Sequence, residues 1–432
     1  MKRIVFLTYF FEPDLSAGSF RNSSLVKVLG PMAEERDCVI DVFTSTPNRY
    51  ETFQVQAHEG DEVRENVRIH RFSTVQIGKG KIRAVIGFLH FFFRVLKANR
   101  GRKTDLVYAS SSKLLNAYLG YRLARRSKAP LYLDIRDLFV VNMKEIVKSR
   151  LLKFFLIPFL NHLERRAFRY ASHINLVSGG FRPLFKGYTQ ATVTEYTNGI
   201  DDMFLNQVAG CESGWGEAGG IRTILYAGNI GDGQGLYKII PRAAQLLGDE
   251  YRFIVYGDGG QRGLLKEELA RLKVDTVRIL KPVQRPELIR AYCKADYLFI
   301  HLNNYAAFEK VLPSKIFELA SFPKPLIAGV GGFPKRFIES EIPHSFVFAP
   351  GDAEAMVQGV RNFRLGQTID RQAFIDKYRR SNINLEMAQS VLRYLDSEGG
   401  GKLGAASSRI LSKKDRPEFQ PLADLKRGHG EL

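Results

Sequence analysis

Short apolar runs of strand length alternate with helix-spaced segments along this chain, and the alternation is played twice. The first series comprises Ile4 to Tyr9, Val39 to Thr44, Val67 to Phe72, Leu106 to Ala109, Leu131 to Ile135, Ile174 to Val177 and Thr194 to Thr197. A second begins at Arg222 to Ala227 and continues through Phe253 to Tyr256, Val277 to Leu280, Tyr297 to Leu302, Pro325 to Ala328 and Ser345 to Phe348. Strands separated by helical segments predict parallel sheets with helices on their faces, a doubly wound α/β architecture. Helical patterns run over Phe20 to Leu29, from Ser314 onward, over Ala353 to Phe363 and over Ile383 to Leu395. Asn198-Gly199-Ile200-Asp201 is a turn that closes the first series, and the Gly-rich, polar stretch from Val208 to Gly220 reads as a linker. The expected organisation is two Rossmann-like domains facing across a cleft, over 1–205 and 206–382. A helix over 383–396, able to cross back, and a mobile basic tail over 397–432 follow.

A length of 432 residues supplies both domains with a core of ordinary size. With 45% hydrophobic and 25% charged residues the chain is neither disordered nor an integral membrane bundle. Cys38, Cys211 and Cys293 stand far apart in no ligand spacing, so reduced cytosolic thiols and no zinc site are expected. The start, Met1-Lys2-Arg3 and then Ile4 to Phe11, imitates a signal peptide. Glu12, Pro13 and Asp14 end the apolar stretch without a small-residue cleavage pattern, and a first strand is the better reading.

Four segments could carry chemistry. Leu312-Pro313-Ser314-Lys315-Ile316-Phe317-Glu318 follows a buried strand and opens a helix. Free N–H groups and the positive end of the helix dipole make such a tip an anion site, and Lys315 adds a mobile charge. Glu318, one turn further on, can accept from ribose hydroxyls, so the pair suits a nucleoside diphosphate. An N-capped helix of an ordinary α/β domain would look the same. In the loop Phe11 to Arg21, Gly18 and Ser19 allow backbone N–H groups to approach a phosphate, with Arg21 reaching the same anion or an acceptor. The Gly-x-Gly-x-x-Gly spacing is missing, which argues against a dinucleotide site. Tyr226 to Leu236 holds four glycines in an open loop that includes Asn229 and Gln234. Asp134-Ile135-Arg136-Asp137 ends a strand, the place where α/β domains put function. An ordinary strand-end salt bridge would fit it too.

The Leu-Pro-Ser-Lys-Ile-Phe-Glu segment resembles the nucleotide-sugar motif of family 4 glycosyltransferases of the GT-B type, in the variant of bacterial polysaccharide enzymes. The commoner form has two glutamates; Glu318 matches the second, which in the family holds the ribose, while the first falls on Lys310 beside Glu309. Many members carry an Arg and a Lys for the diphosphate where this chain has Asn229 and Gln234, and a polysaccharide-enzyme subgroup shows this Asn and Gln. The Gly18 loop is similar to the family's N-terminal loop over the donor diphosphate. Tyr256-Gly257-Asp258-Gly259-Gly260, Leu280 to Val283 and Asn198 to Asp201 fall where the family has a Gly-Asp-Gly turn, a base-contacting segment and a hinge. The matches span the chain from its first strand to about Phe363.

The resemblance implies donor binding by Gly18, Ser19, Asn229, Gln234, Ser314, Lys315 and Glu318, and acceptor binding by Arg21. Asp137 would orient an acceptor hydroxyl or steady positive charge on the sugar, and Arg136 would meet a phosphate. The implied reaction retains anomeric configuration and moves a sugar from a UDP-sugar to a polyprenyl-diphosphate-linked acceptor. No cofactor or metal is expected, since no carboxylate pair is spaced for one. The bacterial O-antigen and capsule N-acetyl-L-fucosamine transferases are the members it most resembles. A UDP-sugar 2-epimerase on the same frame is the alternative enzyme.

A formal charge of +19 calls for an anionic partner. Basic residues flank apolar, aromatic stretches twice, from Lys79 to Lys103 and from Lys144 to Arg169, where Pro158 is expected to kink or end a helix. Each uncharged core falls short of the roughly 17–25 residues of a spanning helix. Both blocks therefore read either as core helices or as in-plane contacts with an anionic membrane surface. The second reading makes Phe91, Phe92, Lys97, Arg100, Phe154 and Phe155 membrane-facing, and puts the protein peripherally on the cytoplasmic face of the inner membrane. A nucleic-acid-binding protein is the non-enzyme alternative, against which stands the lack of interleaved aromatics on a basic strand face.

Overall fold

A computed structural model describes residues 1–14, 16–47, 58–73, 80–111, 114–147, 149–208, 211, 220–363, 366 and 369–396. The first half runs β1 (Lys2–Leu7), α1 (Ala17–Glu34), β2 (Cys38–Ser45), β3 (Gly60–Arg64), β4 (Val67–Phe72), α2 (Gly80–Ala98), β5 (Leu106–Ser110), α3 (Leu114–Ser127), β6 (Leu131–Ile135), α4 (Phe139–Ile146), α5 (Arg150–Tyr170), β7 (His173–Leu176), α6 (Arg182–Phe185), β8 (Thr192–Thr194) and α7 (Asp202–Val208). The second runs β9 (Arg222–Ala227), α8 (Leu236–Leu247), β10 (Tyr251–Tyr256), α9 (Arg262–Arg271), β11 (Val277–Leu280), α10 (Arg285–Lys294), β12 (Tyr297–His301), α11 (Ser314–Ala320), β13 (Leu326–Gly329), α12 (Gly332–Glu341), β14 (Ser345–Phe348), α13 (Ala353–Asn362), α14 (Gln372–Tyr378) and α15 (Arg380–Asp396).

Among the described residues the strands form two sheets, ordered β3-β4-β2-β1-β5-β6-β7-β8 and β11-β10-β9-β12-β13-β14. Every pairing is parallel except β3 with β4. Parallel strands covered on both faces need apolar side chains on both, which is why β2, β5 and β6 are buried throughout and β1 from Ile4 onward. On one face of the first sheet α2, α3 and α5 close a core that includes Phe88, Phe91, Val95, Leu119 and Phe168. On the other, Leu25 and Leu29 of α1 pack with Met387, Val391 and Leu395 of α15. The helix that ends the described chain thus lies against its first helix.

Five expectations need correction. Phe91 and Phe92 are buried, 0% and 7% exposed, and Phe91 meets the rings of Tyr9, Phe72 and Phe88. They belong to the core of α2 and cannot face a membrane, whereas Lys97 and Arg100 beside them are exposed. Pro158 does not end a helix: α5 continues through it. Because Pro158 is exposed, the carbonyl that loses its intrahelical donor there lies where water can reach it. Cys211 and Cys293 are joined as a disulfide with Cα atoms 5.1 Å apart, since the linker residue packs beside α10. Strand β3 lay outside the sequence pattern because Gly-Asp-Glu-Val-Arg is a charged edge strand with little to bury. Thr194 to Thr197 is strand only at its start: β8 ends at Thr194, and Tyr196 and Thr197 turn their carbonyls to Arg21.

His173 on β7 helps seat α15. Its ring stacks on Tyr132 with centroids 4.0 Å apart; Nδ1 meets the Tyr394 hydroxyl at 3.2 Å and Nε2 the Thr194 hydroxyl at 2.9 Å. Burial, with Arg393 nearby, pushes its imidazolium down to about 3. An unfolded histidine titrates near 6.5, so the unfolded chain takes up a proton that the folded chain refuses. The stability contributed by this site is complete above about pH 6.5 and shrinks as pH falls toward 3. Urea unfolding of wild type and His173→Phe should diverge in pH slope below about 6.5, the variant losing stability less steeply. Parallel slopes would show that His173 is protonated in the folded protein.

Candidate active site

At the C-terminal end of β6, Asp134 is fully buried, and Arg21 of α1 is buried against it. The guanidinium donates through Nε to Oδ2 at 3.0 Å and through Nη2 to Oδ1 at 2.9 Å, a two-point contact. Two more of its hydrogens go to the carbonyls of Thr197 at 2.7 Å and Tyr196 at 2.8 Å. Asn175 of β7 donates to Asp134 Oδ1 at 2.7 Å and accepts the Tyr196 N–H at 2.7 Å. One ion pair therefore ties α1, β6, β7 and the segment leading to the interdomain turn. Burial alone would raise the Asp134 carboxyl; Arg21 overrides it and holds Asp134 below the usual carboxylate range. Buried, with four of its five N–H hydrogens on these oxygens, Arg21 is placed to hold the fold and away from an acceptor in solvent, which corrects its expected role.

Arg136 stands two residues on, and its situation is the reverse. Its Nε and Nη1 atoms are sealed from solvent and, among the described residues, hydrogen-bond to no protein group. Burial lowers its pKa, and Asp134 offsets this only in part. A buried cation with idle donors is costly unless an anion reaches it. The same guanidinium explains Gly18: a methyl group at position 18 would stand 2.6 Å from Nη1. Gly18 thus makes room for Arg136. Ser19 is buried and its N–H caps onto Ser16 Oγ at 3.1 Å, while its own Oγ, sealed from solvent, meets no protein group among the described residues. Asp137 is exposed just before α4.

The second half contributes α11. Pro313 stands at its N-cap with no side-chain cap, leaving the first-turn N–H groups at Ser314 and Lys315 uncapped. Lys315 Nζ lies 2.7 Å from Glu318 Oε1, and the Tyr292 hydroxyl donates to that same oxygen at 2.9 Å. Burial first, then Glu318, keeps the Tyr292 phenol protonated and donating. Sequence reasoning missed Tyr292 because it lies on α10, far from the motif. Asn229 and Gln234 meet each other across their loop, Nδ2 to Oε1 at 2.8 Å. Lys238, on the first turn of α8, was also missed; it donates to Asn303 at 3.0 Å and supplies a cation beside the loop that lacks one.

Three contacts carry the halves toward each other. Ser178 Oγ donates to the Lys310 carbonyl at 2.6 Å, at the position of the absent first glutamate. Arg285 at the start of α10 lies 3.8 Å over the Phe20 ring and 3.1 Å from Asp201. Arg380 binds Asp201 at 2.9 Å and the Asn198 carbonyl at 2.9 Å, and Glu318 is among the charges it feels. The candidate residues thus fall into three groups: Gly18 with Arg136, Asn229 with Gln234, and Lys315 with Glu318.

Residues 214–381 match the family model described as Glycosyl transferases group 1. Over 142 residues the chain is 25% identical to an Escherichia coli (strain K12) protein assigned by name to colanic acid biosynthesis as a glycosyl transferase, WcaI; the match covers 32% of this chain and 35% of that relative. Among solved structures, sucrose-phosphate synthase from Thermosynechococcus elongatus superposes with a TM-score of 0.67 at 14% identity, covering 92% of this chain and 100% of that one. Anabaena HepE in complex with UDP gives 0.61 at 16% identity, covering 91% and 100%. The lipopolysaccharide outer core galactosyltransferase WaaB gives 0.61 at 10%, covering 90% and 99%. The likeness to these solved structures gives the chain the GT-B fold. Its second half carries the glycosyl transferases group 1 domain.

Replacing Arg21 by Met strands a buried carboxylate and should cost about 3–5 kcal/mol of stability. Asp134→Leu should cost a comparable amount, and the double variant clearly less than the sum of the two. Urea melts of the four proteins measure this; additive losses would mean that the pair does not act as a unit.

Proposed function

We propose that this protein is a retaining, family 4 glycosyltransferase. It moves a sugar from a UDP-sugar to a polyprenyl-diphosphate-linked acceptor in the synthesis of a bacterial surface polysaccharide, an O-antigen or capsule. N-acetyl-L-fucosamine is the donor sugar the sequence resemblance favours. The carrying observation is the α11 cluster, where Lys315, Glu318 and Tyr292 meet beside uncapped backbone N–H groups. HepE, a structural neighbour, was solved with UDP and with UDP-glucose, which supports a nucleotide-sugar donor.

The geometry suggests a division of labour. Lys315 leaves Glu318 for the diphosphate, freeing both carboxylate oxygens for the ribose hydroxyls while Tyr292 keeps the carboxylate oriented. Cleavage of the sugar–phosphate bond puts negative charge on the departing UDP, and Lys315, the α11 N–H groups and Lys238 are the groups to meet it. Arg136, with two idle donors, is the first half's counterpart for a phosphate. Asp137, exposed beside it, would orient the acceptor hydroxyl that forms the new glycosidic bond.

Lys315→Ala should weaken UDP binding tenfold to a hundredfold, the equivalent of about 1.5–3 kcal/mol for a charge-assisted contact. Glu318→Gln should weaken UDP and UDP-sugar alike, and calorimetry checks both. Normal donor affinity with abolished turnover in Glu318→Gln would make it a catalytic group instead. Mass spectrometry with a panel of UDP-sugars and a short polyprenyl diphosphate acceptor tests the reaction. The expected product is a glycosylated acceptor, and epimerised nucleotide sugar formed without acceptor would overturn the assignment.

A further inference from the structure

Helices α2, α3 and α5 form one layer over the first sheet, and their charge is one-sided. Across the three sequences there is a single carboxylate, Glu164, against clusters of basic residues in the second half of α3 and the second half of α5. Arg122, Arg125 and Arg126 of α3 are exposed, as are Arg165, Arg166 and Arg169 of α5.

The outer face of α5 has a second property. Leu151, Leu152, Phe154, Phe155 and Phe159 are 72%, 52%, 72%, 66% and 58% exposed. Helical spacing places Leu151, Phe155, Phe159, His162, Arg166 and Arg169 on one stripe. That stripe is apolar for its first half and basic for its second. Pro158, His162, Arg165, Arg166 and Arg169 also line a surface cavity of about 590 Å³. Side chains of this size at these exposures present on the order of 500 Å² of contiguous apolar surface, comparable with the largest patch on a typical monomer. Phe93 of α2, 64% exposed, adds a ring to the same layer.

We propose that this helical layer docks on an anionic phospholipid bilayer, with the first half of α5 entering the headgroup–acyl boundary and the arginines lying over the headgroups. Apolar side chains that no described element covers, bordered by cations that outnumber the one carboxylate among them, Glu164, match the two halves of a lipid: chain and phosphate. Self-pairing of α5 faces would set arginine against arginine if parallel and arginine against leucine and phenylalanine if antiparallel. Nucleic acid answers the arginines but leaves the leucines and phenylalanines in water. No helix among the described residues is long and apolar enough to cross a membrane, so the contact lies in the plane of the surface. The inference rests on the reading of a lipid-linked acceptor, to which it adds the surface where such an acceptor resides.

Flotation with vesicles tests it without any catalytic readout. The full chain should float with equimolar phosphatidylglycerol–phosphatidylcholine vesicles at low salt, less as salt rises, and not with pure phosphatidylcholine. Phe154→Ser/Phe155→Ser/Phe159→Ser and, separately, Arg165→Gln/Arg166→Gln/Arg169→Gln should each weaken association about tenfold or more. Lys266→Gln/Arg271→Gln/Lys273→Gln on and just after α9, a loss of equal charge elsewhere, should leave it unchanged. UDP calorimetry on each variant separates the two readings, since UDP binding can fail while vesicles still bind, and the reverse. Absence of flotation at low salt would overturn the proposal, as would undiminished flotation of the phenylalanine variant. Retention on duplex DNA by a protein that ignores vesicles would assign the layer to nucleic acid.

Discussion

A guanidinium and a carboxylate, both withdrawn from water at the C-terminal edge of the first sheet, set the positions on which the rest of this molecule depends. Arg21 and Asp134 meet through two hydrogen bonds, and the spare hydrogens of Arg21 fix the carbonyls of Tyr196 and Thr197. Those residues lead into the turn at Asn198 and Gly199, whose carbonyls Arg380 holds. The pair thus orients α1, aligns the end of β6 and anchors the interdomain turn. Buried ion pairs of this kind add little net stability, yet they are expensive to break on one side. Here the pair also consumes Asp134, so that Arg136, two residues on, is left with idle donors.

Much of the architecture was legible because both sheets are parallel and covered on both faces. Burial on both sides forces apolar runs, and Leu131–Ile135 and Arg222–Ala227 stand where the sequence puts them, as do the less buried Val67–Phe72, Val277–Leu280 and Ser345–Phe348. β3 escaped because an edge strand need not be apolar. At α11 the helix start after Pro313, with Lys315 and Glu318 one turn apart, was legible from local order; contacts that depend on long-range partners were not. Nothing near Arg21 in sequence announces Asp134, and nothing near Glu318 announces Tyr292. Gly18 looked like a phosphate loop because a glycine reads alike whether a ligand or a guanidinium fills the space above it.

The aromatic helices teach a related lesson. Phe91, Phe92 and Phe93 follow one another at roughly 100° intervals around α2. Two of them turn into the core, and only Phe93 faces out. Composition identifies such a segment as apolar and basic, but the orientation of the helix on its sheet decides which ring meets solvent. In α5 the first half leaves several large side chains outside, while Leu160, Leu163 and Phe168 hold it to the fold. The surface that distinguishes this chain lies on the layer where the charge is most one-sided.

In this structure Lys315 rests on Glu318 at 2.7 Å, and donor binding requires the two to part. A crystal structure with UDP tests that claim most directly. The account predicts the diphosphate at the start of α11, Lys315 Nζ moved onto a phosphate oxygen, and both Glu318 oxygens facing the ribose with Tyr292 still donating. UDP bound while the Lys315–Glu318 pair stays closed, or bound away from α11, would contradict it.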